Sequence, residues 1–181
     1  MPETKTVFIG GSRSVSRLPT EVETRLDNII HHGHHVVVGD AHGVDKAVQQ
    51  HFHAASYDKV TVFCSGDRTR HNVGGWPTRQ ITVPGQCQGF SFYAAKDRAM
   101  ACEADLGLMI WDGKSPGTVL NVLRLVRADK IAVLFHVPDQ NTTIIKTGSD
   151  WAGFLRGCSE TLRRALRQRA TPDKWRGAAE G

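Results

Sequence analysis

Apolar residues in this chain alternate between short continuous runs and stretches of helical spacing. Thr4–Ile9 (TKTVFI), Val36–Val38, Val60–Cys64 (VTVFC), Leu106–Trp111 (LGLMIW) and Ile131–Phe135 (IAVLF) read as strands. Unbroken apolar runs of this length suit strands buried on both faces of a parallel sheet. Between them, Leu18, Val22, Leu26, Ile29 and Ile30 share one helical face, with Thr20 and Glu23 spaced as a capping box. Further helices are expected at Val44–Ala54, from Phe92 to about Glu103, and at Val119–Val126 with Pro116 near its first turn. A last helix, capped by Ser149 or Asp150, carries the stripe Trp151, Phe154, Leu155, Cys158, Leu162, Ala165 and Leu166. Alternating strands and helices predict an α/β fold: a doubly wound, mainly parallel sheet of about five strands, helices on both faces, and a C-terminal helix.

The chain has 181 residues, 40% of them hydrophobic and 23% charged, which suits one domain with a substantial core. Residues 1–150 read as its body, interrupted by a loop over 65–91, and 151–181 as an amphipathic basic helix and tail of the same domain. No apolar run reaches the roughly 18 residues of a membrane span, and the N-terminus lacks the apolar stretch of a secretory signal. Four scattered cysteines, Cys64, Cys87, Cys102 and Cys158, read as free thiols in a reducing cytoplasm. The net charge of +5 is unevenly placed. Residues 151–181 carry seven Lys/Arg against three Asp/Glu, leaving sixteen against fifteen in the body. A nucleic-acid reading of the high pI therefore concerns the C-terminal segment, where Arg163, Arg164, Arg167 and Arg169 would meet phosphates.

Three glycine-bearing loops each follow a strand and precede a helix, so they should gather along one sheet edge, where ligands of such sheets bind. In Gly10-Gly11-Ser12-Arg13, backbone amides, a hydroxyl and a cation are available to an anion. Gly39-Asp40-Ala41-His42-Gly43-Val44-Asp45 offers Asp40 or Asp45 to a sugar hydroxyl or base, and His42 to a phosphate or as an acid. Lys114-Ser115-Pro116-Gly117-Thr118 places two hydroxyls and a lysine at a helix N-terminus. Neither the GxGxxG nor the GxxxxGK[ST] spacing is present, and nothing indicates a cofactor.

In order, GGSR, GDAHGVD, KDRAM-ACEAD and SPGT over residues 4–135 resemble the SLOG superfamily of Rossmann-like nucleotide-binding proteins, which includes DNA-processing protein A and the LOG phosphoribohydrolases. The resemblance implies a Rossmann-like fold, a homo-oligomer, and a nucleotide-like small molecule held by Gly10–Arg13, Gly39–Asp45 and Ser115–Thr118. Two positions depart from the LOG pattern. Asp97 stands where those enzymes have arginine, and Asn121 stands at the catalytic glutamate. An amide cannot replace a carboxylate in N-glycosidic cleavage. Cleavage of a nucleoside 5′-monophosphate would need Asp97 or Asp112 as the carboxylate. The readings left open are a nucleotide binder, such a hydrolase or transferase, and a DNA binder like DNA-processing protein A.

Two further features complete the candidates. The 65–91 loop holds one possible short strand, Gln80–Val83, together with Arg68, Arg70, Asn72, Trp76 and Arg79, and Gly74-Gly75 as a hinge. It could close over a ligand as a lid, or be a solvated loop anchored by Trp76. His31-His32-Gly33-His34-His35 resembles a metal tract but sits where a helix should end, with Gly33 as its C-cap, so no metal site is expected.

Overall fold

The computed structural model describes residues 2–85 and 89–170. Seven strands form one sheet: β1 (Thr6–Gly11), β2 (His35–Gly39), β3 (Val60–Ser65), β4 (Thr78–Ile81), β5 (Leu106–Trp111), β6 (Ile131–His136) and β7 (Asn141–Ile145). Their order is β4-β3-β2-β1-β5-β6-β7, parallel except for the antiparallel β6–β7 pair. The helices are α1 (Thr20–His31), α2 (Val44–Ala54), α3 (Gly89–Glu103), α4 (Pro116–Arg127), α5 (Gly148–Arg156) and α6 (Glu160–Arg169).

The period-2 alternation of each strand divides the interior in two. Phe8 of β1 and Val37 of β2 point into a core shared with Met100, Leu120, Leu123 and Trp151, on the side of α3 to α6. Their neighbours Val7, Ile9, Val36 and Val38 point into the opposite core with Val22, Leu26, Val48 and Phe52 of α1 and α2. The expected α/β fold, mainly parallel and covered on both faces, is thus present, with seven strands rather than about five.

The two additional strands explain the difference. β7 (NTTII) is half polar because it lies at an edge, and β4 (TRQI) is the exposed edge strand on the other side. Neither has the continuous apolar run of a central strand. The C-terminal helix also divides. Gly157 ends α5, and Ser159 starts α6 by accepting a hydrogen bond from the Leu162 amide. The cap of α5 is Thr147, which forms a reciprocal box with Asp150, rather than Ser149 or Asp150 itself. At α1 the expected box is absent: Thr20 is already helical, and Pro19 precedes it with no side-chain cap. Gly33 does close α1. With φ +67°, its amide donates to the Ile30 carbonyl while that of His34 donates to Ile29, a Schellman arrangement.

The strand order creates a switch point. From β1 the chain winds outward through β2, β3 and β4, then returns to β5 on the other side of β1. The loops leaving β1 and β5 diverge toward opposite faces, and a crevice opens between them at the carboxyl ends of the strands.

Candidate functional site

A cleft of about 430 Å³ occupies this crevice. Gly10, Gly11, Ser12 and Arg13 line one side, and Ser115, Pro116, Gly117 and Thr118 the other. Asp45, Lys96, Asp97 and Asn121 lie deeper, and Phe90, Tyr93 and Arg169 line the remaining wall.

The two loops are joined across the crevice. The Ser12 and Thr118 hydroxyls are 3.1 Å apart, and the Ser12 hydroxyl accepts from the Asp112 amide. Val44 donates to the Ser12 carbonyl, and a Cβ on Gly43 (φ +77°) would stand 2.3 Å from the Arg13 carbonyl oxygen. The second turn therefore packs directly behind the first. Where α4 begins, Pro116 has no amide hydrogen and no side chain caps the helix, so the Gly117 and Thr118 amides remain available at the positive end of the dipole.

Asp112 has a different task. Its carboxylate accepts from the Ser14 hydroxyl, the Lys114 and Ser115 amides and the Ser115 hydroxyl. Burial alone would raise its pKa, but these hydrogen bonds outweigh it and hold the group well below the ordinary carboxylate range. Asp112 folds the loop and does not line the cleft, and neither does Lys114.

A buried ionic cluster forms the floor. Lys96 Nζ donates to Asp97 Oδ1 at 2.9 Å and lies 3.8 Å from Asp45 Oδ2, which also accepts from the Ala41 amide. Burial pushes the Asp45 carboxyl up to about 6, against the attraction of Lys96 and helped by the repulsion of Asp97. Burial works against the Lys96 charge, but Asp97 and Asp45 together raise its pKa above the ordinary lysine value. Gly39 makes room for this cluster, since a Cβ there would meet Asp45 Oδ2 at 2.4 Å and Lys96 Nζ at 2.6 Å. Asn121 donates to Asp97 Oδ2 at 3.4 Å and accepts from Arg124.

Several expected ligand residues stand behind the cleft wall. Asp40 is buried, accepts from both the backbone and the guanidinium of Arg70, and is held below its ordinary pKa because these bonds outweigh its desolvation. His42 pairs with His71, Nδ1 to Nε2, at 3.1 Å. Thus Gly10, Gly11, Ser12, Arg13, Asp45, Asp97, Ser115, Gly117 and Thr118 meet at one cleft, whereas Gly39, Asp40, His42 and Gly43 build its support.

The residues proposed for a lid are fastened to the body. Trp76 is 8% exposed, and its indole N–H donates to the Tyr57 carbonyl. Asn72 bridges the Trp76 amide and carbonyl, and buried Gln49 ties the Val73 amide and the His71 carbonyl to Gly39. Arg79 pairs with exposed Glu103. Arg68 and the Gly74-Gly75 hinge do not line the cleft either. Only Arg70 reaches its edge, 4.4 Å from the Tyr93 ring centroid, with Arg13 5.2 Å from the same ring. The histidine tract lies at the other end of β2, where Tyr57 donates to the His34 carbonyl. On α6, Arg163 and Arg167 both pair with Glu160, while Arg169 lies over the Phe90 ring at 4.7 Å. Cys64, Cys102 and Cys158 are free thiols, and Cys87 falls outside the described residues, as does the tail beyond Ala170.

The sequence reading missed Lys96, Phe90 and Tyr93, and it placed Arg169 with nucleic-acid phosphates rather than at this cleft. Lys96 precedes Met100 by four residues and so shares the buried face of α3, and that spacing is the signal that could have found it.

Among the described residues, no helix is long and apolar enough to cross a membrane. By sequence the chain matches no protein family and no curated protein. By structure it resembles DNA processing protein A from Helicobacter pylori, solved for its single-stranded DNA binding mode, with a TM-score of 0.54 and 14% identity. The match covers 91% of this chain and 79% of that one. At this identity the likeness is one of fold: the chain shares the α/β, mainly parallel-sheet architecture of that protein.

Proposed function

We propose that the cleft binds a nucleotide or nucleotide-derived metabolite, its phosphate at the Gly10–Arg13 and Ser115–Thr118 turns. The observation that carries this reading is the pairing of two glycine turns across the switch point, one of them the uncapped N-terminus of α4. Arg13 lines the cleft as a cation for the phosphate, and the Phe90 and Tyr93 rings offer apolar faces to a base or ribose. The test is calorimetric titration with AMP, GMP, CMP and UMP against the matching nucleosides. Binding that requires the phosphate supports the reading. No heat with any monophosphate at millimolar concentration refutes it.

A second reading has its own support. Asp97 lines the cleft, held between the Lys96 ammonium and the Asn121 amide. A fixed carboxylate there suits N-glycosidic cleavage of a bound nucleoside 5′-monophosphate, with Asp97 assisting departure of the base or attack of water. Incubation with the same panel, followed by chromatography for free base, separates the two. Base release that disappears in Asp97→Asn establishes the hydrolase, and its absence leaves a binder.

A further inference from the structure

The wall of the cleft continues into a second groove of about 370 Å³ between α3, α4 and α6. Each helix contributes to both spaces. On α3, Asp97 lines the cleft and Arg98 the groove; on α4, Asn121 lines the cleft and Arg124 and Arg127 the groove; on α6, Arg169 lines both. Four arginines thus line one groove, with Leu120 and Leu123 between them, and the Arg169 guanidinium stacks over Phe90 where the groove meets the cleft.

What sets these four apart is that they are unpaired and gathered at one groove. Arg25, Arg70, Arg79, Arg163 and Arg167 each have a carboxylate partner within ion-pair distance. Among the described residues, Arg98, Arg124, Arg127 and Arg169 have none. Arg124 is the telling member. One of its terminal nitrogens donates to Asn121, but its Nε is buried with no hydrogen-bond partner. A buried donor on a permanent cation, beside three further unpaired cations, is costly unless an anion completes it.

We propose that this groove is a second anion subsite for the ligand of the cleft. The complete ligand is then a dinucleotide, two nucleoside units joined through phosphate, rather than a mononucleotide. This rests on the nucleotide reading of the cleft. Along α4, Thr118 and Arg124 are six residues apart, about 9 Å of helix, which is more than one phosphate can bridge. One phosphate sits at the α4 N-terminus, and the linked unit passes Arg169 to place its own phosphate among Arg98, Arg124 and Arg127. The two leucines and the arginine stems receive the second sugar or base. Charge selects this occupant over a second copy of the chain, which carries a net +5 of its own.

The experiment is calorimetric titration of the full chain with AMP, with the 3′,5′-linked dinucleotide pApA, and with its 2′,5′-linked isomer. It uses the unaltered protein and the double variant Arg98→Gln/Arg127→Gln, whose two positions are exposed. At least one dinucleotide should bind about tenfold or more tightly than AMP, as charged hydrogen bonds of ordinary strength would give. The gain should vanish in the double variant while AMP affinity stays constant, and which dinucleotide wins identifies the linkage. Dinucleotides no tighter than AMP, or a gain that survives the double variant, overturn the proposal. So does a double variant that changes the sedimentation mass, since the groove would then be a subunit interface. If AMP binds and is weakened by Gly117→Ala but neither dinucleotide gains, only the groove proposal falls. Failure of all three probes removes the cleft reading itself.

Discussion

Gly117 separates a binding role from a folding role for the turn after β5. It occupies the second position of α4 and lines the cleft. A Cβ built there meets nothing closer than Phe90 Cε2 at 3.9 Å, an ordinary van der Waals contact. Gly117→Ala therefore introduces no clash, and alanine is favoured over glycine in a helix by up to about 1 kcal/mol. For a chain of this size that corresponds to a Tm unchanged or raised by about 2–4 °C. The new methyl group, however, stands where an anion would approach the Gly117 and Thr118 amides. Losing one charged hydrogen bond costs about 1.5–3 kcal/mol, or roughly a tenfold to hundredfold rise in Kd. Differential scanning fluorimetry and calorimetric titration with a nucleoside monophosphate measure the two effects on the same sample. A variant that melts no lower yet binds at least tenfold more weakly fits the reasoning. Unchanged affinity in a folded variant would show that no phosphate approaches this helix end.

Four other substitutions test the surrounding architecture. Gly11→Ala should behave oppositely to Gly117→Ala, because its Cβ would lie 2.3 Å from the Ile110 carbonyl and 2.7 Å from Val44 Cγ2; a cost of about 1–3 kcal/mol is expected in urea titration. Trp76→Phe removes the hydrogen bond to Tyr57, which should cost about 1 kcal/mol while ligand affinity stays constant, and weaker binding would restore the loop as a stacking lid. Arg70→Ala strands the buried Asp40 carboxylate and should destabilise by about 3–5 kcal/mol in the same assay. Asp45 predicts a pH effect: its folded pKa of about 6 exceeds the ordinary 3.8, so the native state binds the proton more tightly than the unfolded chain. Its contribution is then complete below pH 4 and lost as the pH rises through 6, and Asp45→Asn should remove that part of the Tm–pH profile.

The legible parts of this fold are those whose chemistry is local. Central strands such as IAVLF need apolar residues on both faces, and strand-to-helix turns need glycine, so both are written in short segments. Edge strands are harder to read because one side meets solvent, which permits TRQI and NTTII: β4 shows only as a possible strand displaced by two residues, and β7 not at all. The site divides similarly. Gly10–Arg13 and Ser115–Thr118 could be paired before any coordinates because parallel topology brings the loops after β1 and β5 to the same edge. Asp40 and Asp112 looked equally available in sequence. Only the fold shows the first bound to Arg70 thirty residues away and the second consumed by its own turn. Lys96 illustrates the converse: its spacing to Met100 puts it on the buried face of α3, but its partner Asp45 belongs to another helix, so the buried ion cluster shows only in the fold.

These assignments also relocate the chain's positive charge. The C-terminal excess suggested a track for nucleic-acid phosphates, but on α6 Arg163 and Arg167 converge on Glu160, and Arg169 turns back over Phe90 toward the cleft. Four arginines without carboxylate partners instead meet at one groove from α3, α4 and the end of α6, two of the helices arising in the near-neutral body. Net charge by segment thus misses a concentration that exists only after folding. A cluster assembled from three helices implies a ligand of fixed shape and short reach, because its cations converge on one groove rather than following an extended strand.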